Sequence, residues 1–220
     1  MFATYIMDNR IIFRTLSGGK LKTSESKFGE TLLPKNTLNL PNAPDTSSNF
    51  PIAGDVRASE TLGLLAMHTI FVRAHNEIAD MIIDSVRDNI SNNGDTEAEI
   101  DEKVYQYTRV ILTAIIQKIT YNDWLPVIFG QVAYDKFIGE YQGYDESINP
   151  GICAIFSSSA FRLGHTMLPW SLPIRDEDCR NTGFGGGDLE LQDAFFTPNI
   201  LDNTPDFFEG FIRGFSCTLC

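Results

Sequence analysis

Two long stretches of this chain carry apolar residues at helical spacing, and the remainder breaks into short pieces. Between Thr61 and about Val86 apolar positions recur at Leu64, Phe71, Ile78 and Ile82 without an intervening proline, which predicts an amphipathic helix. Ser59 stands where an N-cap is wanted, and Glu60 complements the first-turn dipole. A second helix is expected from about Glu97 to Tyr121, with Val104, Ile111, Ile115 and Ile119 on one stripe. A shorter one should cover Leu125 to Phe137. A third long helix should span about Gly151 to Leu168 and stop at Pro169.

Between these elements the pattern is irregular. Residues 17–55 carry Gly18-Gly19, Pro34, Pro41, Pro44 and Pro51 among polar runs, a loop longer than compact domains usually tolerate without a function for it. Residues 90–101 form a turn-rich connector, Gly183 to Gly187 reads as a flexible loop, and residues 188–215 give apolar pieces with no clear period. There is no internal repeat and little strand pattern, so the fold class is mainly α, with long irregular loops.

Composition narrows the function classes. A hydrophobic fraction of 43% and a charged fraction of 21% are those of an ordinary globular chain of 220 residues. A net charge of −12 argues against a nucleic-acid partner, which needs clustered Lys and Arg. No apolar run reaches membrane-spanning length, and residues 1–14 lack the apolar core and cleavage site of a secretory signal. The four cysteines are too few for a disulfide-built scaffold. Cys217-Thr218-Leu219-Cys220 has C-x-x-C spacing, but without a second pair it does not make a zinc ribbon.

The residues able to do chemistry are few. His68 and His75 are seven positions apart on one helix, about 10.5 Å along its axis, too far to share a metal ion. Both read as structural histidines. There is no phosphate loop after a strand and no nucleophile elbow. His165 differs in context. On a helix it shares a face with Ala154, Ser158, Phe161 and Leu168, and the small residues before it leave room for a flat ligand. Arg162, three positions earlier, offers a cation for an anionic edge of the same ligand. A haem meets that description, but spacing alone favours an ordinary core histidine. Arg57 and Glu60, at i and i+3, read from spacing as an ion pair at a helix N-terminus or as a site pair.

The motifs say more. Ala53-Gly54-Asp55-Val56-Arg57-Ala58-Ser59-Glu60, followed by Met67-His68-Thr69-Ile70-Phe71-Val72-Arg73-Ala74-His75-Asn76, resembles the distal-side segment of the animal haem peroxidase family, of the peroxidasin and myeloperoxidase kind. Ile119 to Pro126 and Ala160-Phe161-Arg162-Leu163-Gly164-His165-Thr166 resemble two further family blocks in the same order, and Ser17 to Thr23 is similar to the loop ahead of them. The resemblance implies a partial helical peroxidase domain over 1–220: a loop-rich lead-in (1–55), haem-enclosing helices (56–168) and a loop-rich C-terminal part (169–220).

It also implies roles for particular residues. His165 would be the proximal ligand of a b-type haem iron and Arg162 a partner of a haem propionate. Arg57 would be the catalytic distal arginine, stabilising charge on the departing peroxide oxygen. Glu60 would be the carboxylate that members ester-link to the haem edge. Thr61 stands where myeloperoxidase has a sulfonium-forming methionine, so that link is not expected here. Hydrogen peroxide and a small electron donor would be the partners. The family's distal histidine, its ester-forming aspartate and its calcium loop lie upstream of the matched residues, and the asparagine that orients the proximal imidazole lies downstream. This implies an incomplete site with weak turnover. The alternatives are haem binding without turnover and a degenerate, non-enzymatic helical module. The resemblance implies secretion, and the Asn89-Ile90-Ser91 sequon, meaningful only in a secreted protein, agrees with it, against the missing signal sequence.

Overall fold

The computed structural model describes residues 10–44, 50–90, 94–182, 187–201 and 204–217. Ser91 of the sequon, Asn92-Asn93, most of the Gly183 to Gly187 tract, and Cys220 of the C-x-x-C pair lie outside the described residues, as do residues 1–9. The chain divides into two compact units: Met1–Thr113 with Ser171–Cys220, and Ala114–Trp170.

In the first unit a short helix α1 (Arg10–Phe13) leads through a turn-rich strip to a two-residue antiparallel ladder, β1 (Ser24–Glu25) with β2 (Thr31–Leu32). Two long helices follow: α2 (Leu62–Asn89), and α3 (Glu97–Lys118), which belongs to this unit up to Thr113. The unit resumes with the ladder β3 (Ser171–Leu172) and β4 (Leu189–Glu190), and ends on a helix over Phe207–Cys217. That last helix was not expected from the sequence. Gly210 and Gly214 lower its intrinsic propensity, yet they are why it fits. A Cβ on Gly214 would stand 1.9 Å from the Pro173 carbonyl oxygen, so the helix lies directly on the backbone just after β3.

Burial corrects the expected stripe on α2. Its inward residues are Leu62, Leu65, Ala66, Thr69, His75, Ala79 and Val86, whereas Leu64 and Met67 are exposed. The 28-residue helix spans two clusters. Its N-terminal half packs with Leu33, Leu172, Ile174, Phe207, Phe208 and Phe211. Its C-terminal half packs with Ile100 and Val104 of α3. On α3 only the first half is buried; Ile111, Ile115 and Ile119 of the expected stripe are exposed.

The lead-in strip is held between these helices by hydrogen bonds. Asn76 pairs with both backbone groups of Leu21, accepting from its N–H (2.8 Å) and donating to its carbonyl (3.0 Å). The Gly19 N–H donates to Asp101 (2.6 Å), and the buried His75 ring donates from Nε2 to the Gly19 carbonyl (2.9 Å). Gly19 has a positive φ, and a Cβ there would meet the Tyr105 backbone nitrogen at 2.6 Å, so only glycine permits the approach. Arg14 closes the arrangement as a buried partner of Asp101 (2.7 Å) and stacks 4.0 Å over the Tyr105 ring. The two-histidine reading is met for His75: it is a structural group.

The second unit is a run of short helices. A π-helical stretch (Ile119–Trp124) leads into α4 (Leu125–Phe129) and α5 (Gln131–Phe137), split at Gly130 by its positive φ where one helix was expected. The third long helix is also absent: α6 covers only Ala154–Ser158, Ser159 breaks it, and a 3-10 helix spans Ala160–Met167. None of the described residues in this unit is buried; Trp170, Val127 and Phe161 are among its many exposed apolar side chains. The remaining helix of the first unit, Phe207–Cys217, is α7 below.

Two predictions arise from these contacts. The sequence gives no pairing for its cysteines, but Cys179 and Cys217 form a disulfide across 38 residues that ties the end of α7 to the turn after β3. Closing a loop of that length stabilises the fold by roughly 3–4 kcal/mol on chain-entropy grounds. Urea denaturation of the first unit should shift to a lower midpoint in Cys179→Ser with Cys217→Ser, and an unchanged midpoint would contradict the contribution.

The second concerns His75. Burial holds its pKa below the ordinary 6.5, the bond to Gly19 opposes this, and the Arg14 guanidinium adds to the lowering. The folded state therefore binds fewer protons than the unfolded one just below that value. The stability it supplies is complete above about pH 6.5 and is lost as pH falls toward the depressed folded value. Denaturation at pH 7.5 and 5.5 should show a drop that His75→Gln flattens; an equal drop in both proteins would remove His75 as its source.

Candidate functional site

In the first unit the segment before α2 is a series of tight turns, not the first turn of the helix. The Ala58 N–H donates to the Asp55 carbonyl (3.1 Å) and the Glu60 N–H to the Arg57 carbonyl (2.9 Å). The helix begins one step later, with Thr61 as its N-cap: the Thr61 hydroxyl accepts from the Leu64 N–H. Ser59 is therefore not the cap; its hydroxyl donates to the Pro51 carbonyl (2.7 Å), and both Ser59 and Ala58 are buried. The Phe196 N–H donates to the Glu60 carbonyl (3.0 Å), and Thr61 bridges to Phe195. With the adjacent Ala58 and Ser59 pinned inward, Arg57 is left toward solvent with 62% of its side chain exposed, and Glu60 is half-buried.

The expected helix-end ion pair between Arg57 and Glu60 does not form as a hydrogen-bonded contact. Asp55 takes the guanidinium instead. Its Oδ1 accepts from the Arg57 backbone N–H (2.9 Å) and from Nε (3.0 Å), and its Oδ2 accepts from Nη2 (2.8 Å). These bonds from Arg57 hold the Asp55 carboxyl at about 2, and the charges of Arg57 and His68 act in the same direction. The Arg57 pKa is raised by the same bonds and, to a smaller degree, by Glu60. The Glu60 carboxylate has no hydrogen-bond partner among the described residues. His68, half-buried on α2, donates from Nδ1 to the Leu64 carbonyl (2.8 Å), which leaves Nε2 as its acceptor.

In the second unit Cys153 caps α6, its sulfur accepting from the Phe156 N–H (3.4 Å), and the Ser158 hydroxyl bonds back to the Ala154 carbonyl (2.6 Å). The break at Ser159 changes the face that carries His165. Ala154 and Ser158 no longer share a continuous α-helical stripe with it. On the 3-10 helix residues three apart eclipse one another, so Arg162 and His165 are brought into line one turn apart. Both are exposed, and neither the imidazole nor the guanidinium has a partner among the described residues. Phe161, Leu163 and Leu168 stand exposed around them. An imidazole and a guanidinium on one edge, in an apolar surround and without other commitments, suit the donor chemistry of a haem: a nitrogen for iron and a cation for a propionate.

One further set of carboxylates lies close together among the described residues: Glu30, Asp206 and Glu209. Some of its oxygens have partners, while Glu209 Oε2 is buried with no hydrogen-bond partner among the described residues. Glu30 accepts from the Asp206 N–H (2.7 Å) and the Ser26 hydroxyl (2.9 Å), and Glu209 pairs with Arg73 (2.6 Å). The group fixes the start of α7. Sequence reasoning missed Asp55, although an aspartate two residues before an arginine in a glycine-led turn was a readable signal for such a pair.

Comparison with known proteins agrees with the motifs. The family model for animal haem peroxidase matches residues 9–219. A peroxidasin homologue of Caenorhabditis elegans is 43% identical over 150 residues, 68% of this chain and 10% of its own length. Mouse myeloperoxidase is 42% identical over 117 residues, 53% of this chain and 15% of its own. Among solved structures, Peroxidase A from Dictyostelium discoideum superposes with a TM-score of 0.73 at 27% identity, covering 91% of this chain and 36% of that one. A fatty acid alpha-dioxygenase of Arabidopsis thaliana shares the fold, with a TM-score of 0.64 at 20% identity over 94% of this chain and 33% of its own. This chain thus spans about a tenth of the peroxidasin and about a third of Peroxidase A.

Proposed function

This chain belongs to the animal haem peroxidase family, and we propose that it takes part in the oxidation of a small donor with hydrogen peroxide at a b-type haem. The observation that carries the reading is the Arg162–His165 edge: two side chains with no partner among the described residues, within the span that matches the family. When bound, a haem supplies the redox chemistry of peroxide reduction. His165 would hold the iron through its imidazole, and Arg162 would neutralise a propionate and so orient the ring. Arg57 would present its guanidinium to the negative charge that develops as the oxygen–oxygen bond breaks. Glu60, whose carboxylate makes no hydrogen bond among the described residues, would be the group joined by an ester to the haem edge.

Secretion fits this reading. The Cys179–Cys217 disulfide is a bond of oxidising compartments, and Asn89 of the sequon is exposed at the end of α2. No described helix is long and apolar enough to cross a membrane. The family's calcium site has no proposed counterpart among these residues.

The test is reconstitution. Titrating the chain with haemin should give an absorption spectrum distinct from that of free haemin in the wild type, and loss of that spectrum in His165→Ala. Peroxide turnover should be weak beside that of a complete family member, because no described residue is assigned as the base that moves the peroxide proton. Spectra identical to free haemin in both proteins would favour the non-enzymatic module. A bound spectrum unaltered by peroxide would favour haem binding without turnover.

A further inference from the structure

We propose that Asp55 is a positioning residue for the peroxide-facing arginine: it fixes the Arg57 guanidinium in one orientation before any ligand arrives. The proposal rests on the assignment of Arg57 made above and adds to it the device by which Arg57 is held.

The argument begins with a cost. An arginine on a turn, with 62% of its side chain exposed, samples many rotamers in water, and restricting it costs side-chain entropy. Electrostatic stabilisation of a transition state is effective when the donor is already in place, because no reorganisation is then needed as charge develops. Asp55 provides that restriction. Its carboxylate grips Arg57 at three points, the backbone N–H, Nε and Nη2, forming a two-toothed contact with the guanidinium plane and a third with the turn itself. The turn is rigid in its own right, since Ala58 beside it is fully buried and its N–H bonds to the Asp55 carbonyl. Engagement of Nε and Nη2 leaves the Nη1 amino group for a ligand oxygen.

A purely structural role is the competing explanation. Exposed ion pairs contribute little to stability, so the pair is poorly explained as a fold-stabilising contact. The shape of the contact also matters. Lysine in place of arginine cannot reproduce the side-on pairing, and glutamate in place of aspartate changes the reach by one methylene.

Two readouts test this in the full chain. The first needs no haem: nitrogen-15 relaxation of the Arg57 Nε–H. It should report an ordered side chain in the wild type, a mobile one in Asp55→Ala, and partial ordering in Asp55→Glu, with the thermal midpoint almost unchanged. The second is the rate of reaction of the haemin-loaded chain with hydrogen peroxide. Asp55→Ala should slow it on the order of tenfold while leaving the donor's KM unchanged. In an Arg57→Ala background the same substitution should have no further effect, since a residue acting through Arg57 loses its role with it.

An Arg57 Nε–H that stays ordered in Asp55→Ala, or an Asp55→Ala effect of the same size with Arg57 already removed, would overturn the positioning role and leave the assignment of Arg57 standing. No slowing in Arg57→Ala alone would overturn that assignment and, with it, the functional part of this proposal.

Discussion

The seating of α2 is the constraint on which the first unit depends. A 28-residue helix cannot be held along its length by propensity alone; it needs tertiary partners, and here it has two separate sets. The phenylalanines of α7, with Leu33, Leu172 and Ile174, clasp its first turns. Ile100 and Val104 clasp its last ones, and the Gly19 strip is bonded to it through His75 and Asn76. Since the helix start is fixed, so is the turn that precedes it. Arg57 projects from that turn because Ala58 and Ser59 are anchored beneath it.

Charge is distributed with the same economy. Arginines of the first unit that approach the core are each met by carboxylates: Arg14 by Asp101 and Glu102, Arg73 by Glu209, Arg175 by Asp188. Arg57 is met as well, but at the surface, where pairing adds little stability and much direction. Arg162 and His165 are the contrast, exposed on apolar ground without partners among the described residues. Chemistry placed where the fold gains nothing from it is the pattern expected of groups reserved for a ligand.

How much of this was legible in the sequence depended on the kind of signal. The existence of α2 and α3 followed from periodicity, and the candidate site residues were proposed from sequence motifs rather than from spacing. The failures have physical causes. The stripe on α2 was misplaced because Thr69 and His75 point inward, so a polarity pattern cannot find the buried face. The single helix around His165 was broken by a backbone change at Ser159, a residue with no strong breaking signal. The last helix was hidden by two glycines that lower propensity but permit contact with Pro173 and Arg175. Asp55 was overlooked because helical spacing pairs residues three or four apart, and this pair is two apart in a turn.

The proposal that His165 would hold a haem iron is the central claim, and a vibrational measurement tests it most directly. Resonance Raman spectra of the haemin-loaded, reduced chain, grown with ordinary or nitrogen-15 histidine, should contain an iron–nitrogen band that shifts with the isotope. That band should be missing in His165→Ala while His68 and His75 remain. A band that survives in His165→Ala, or no isotope-sensitive band in the wild type, would contradict the account.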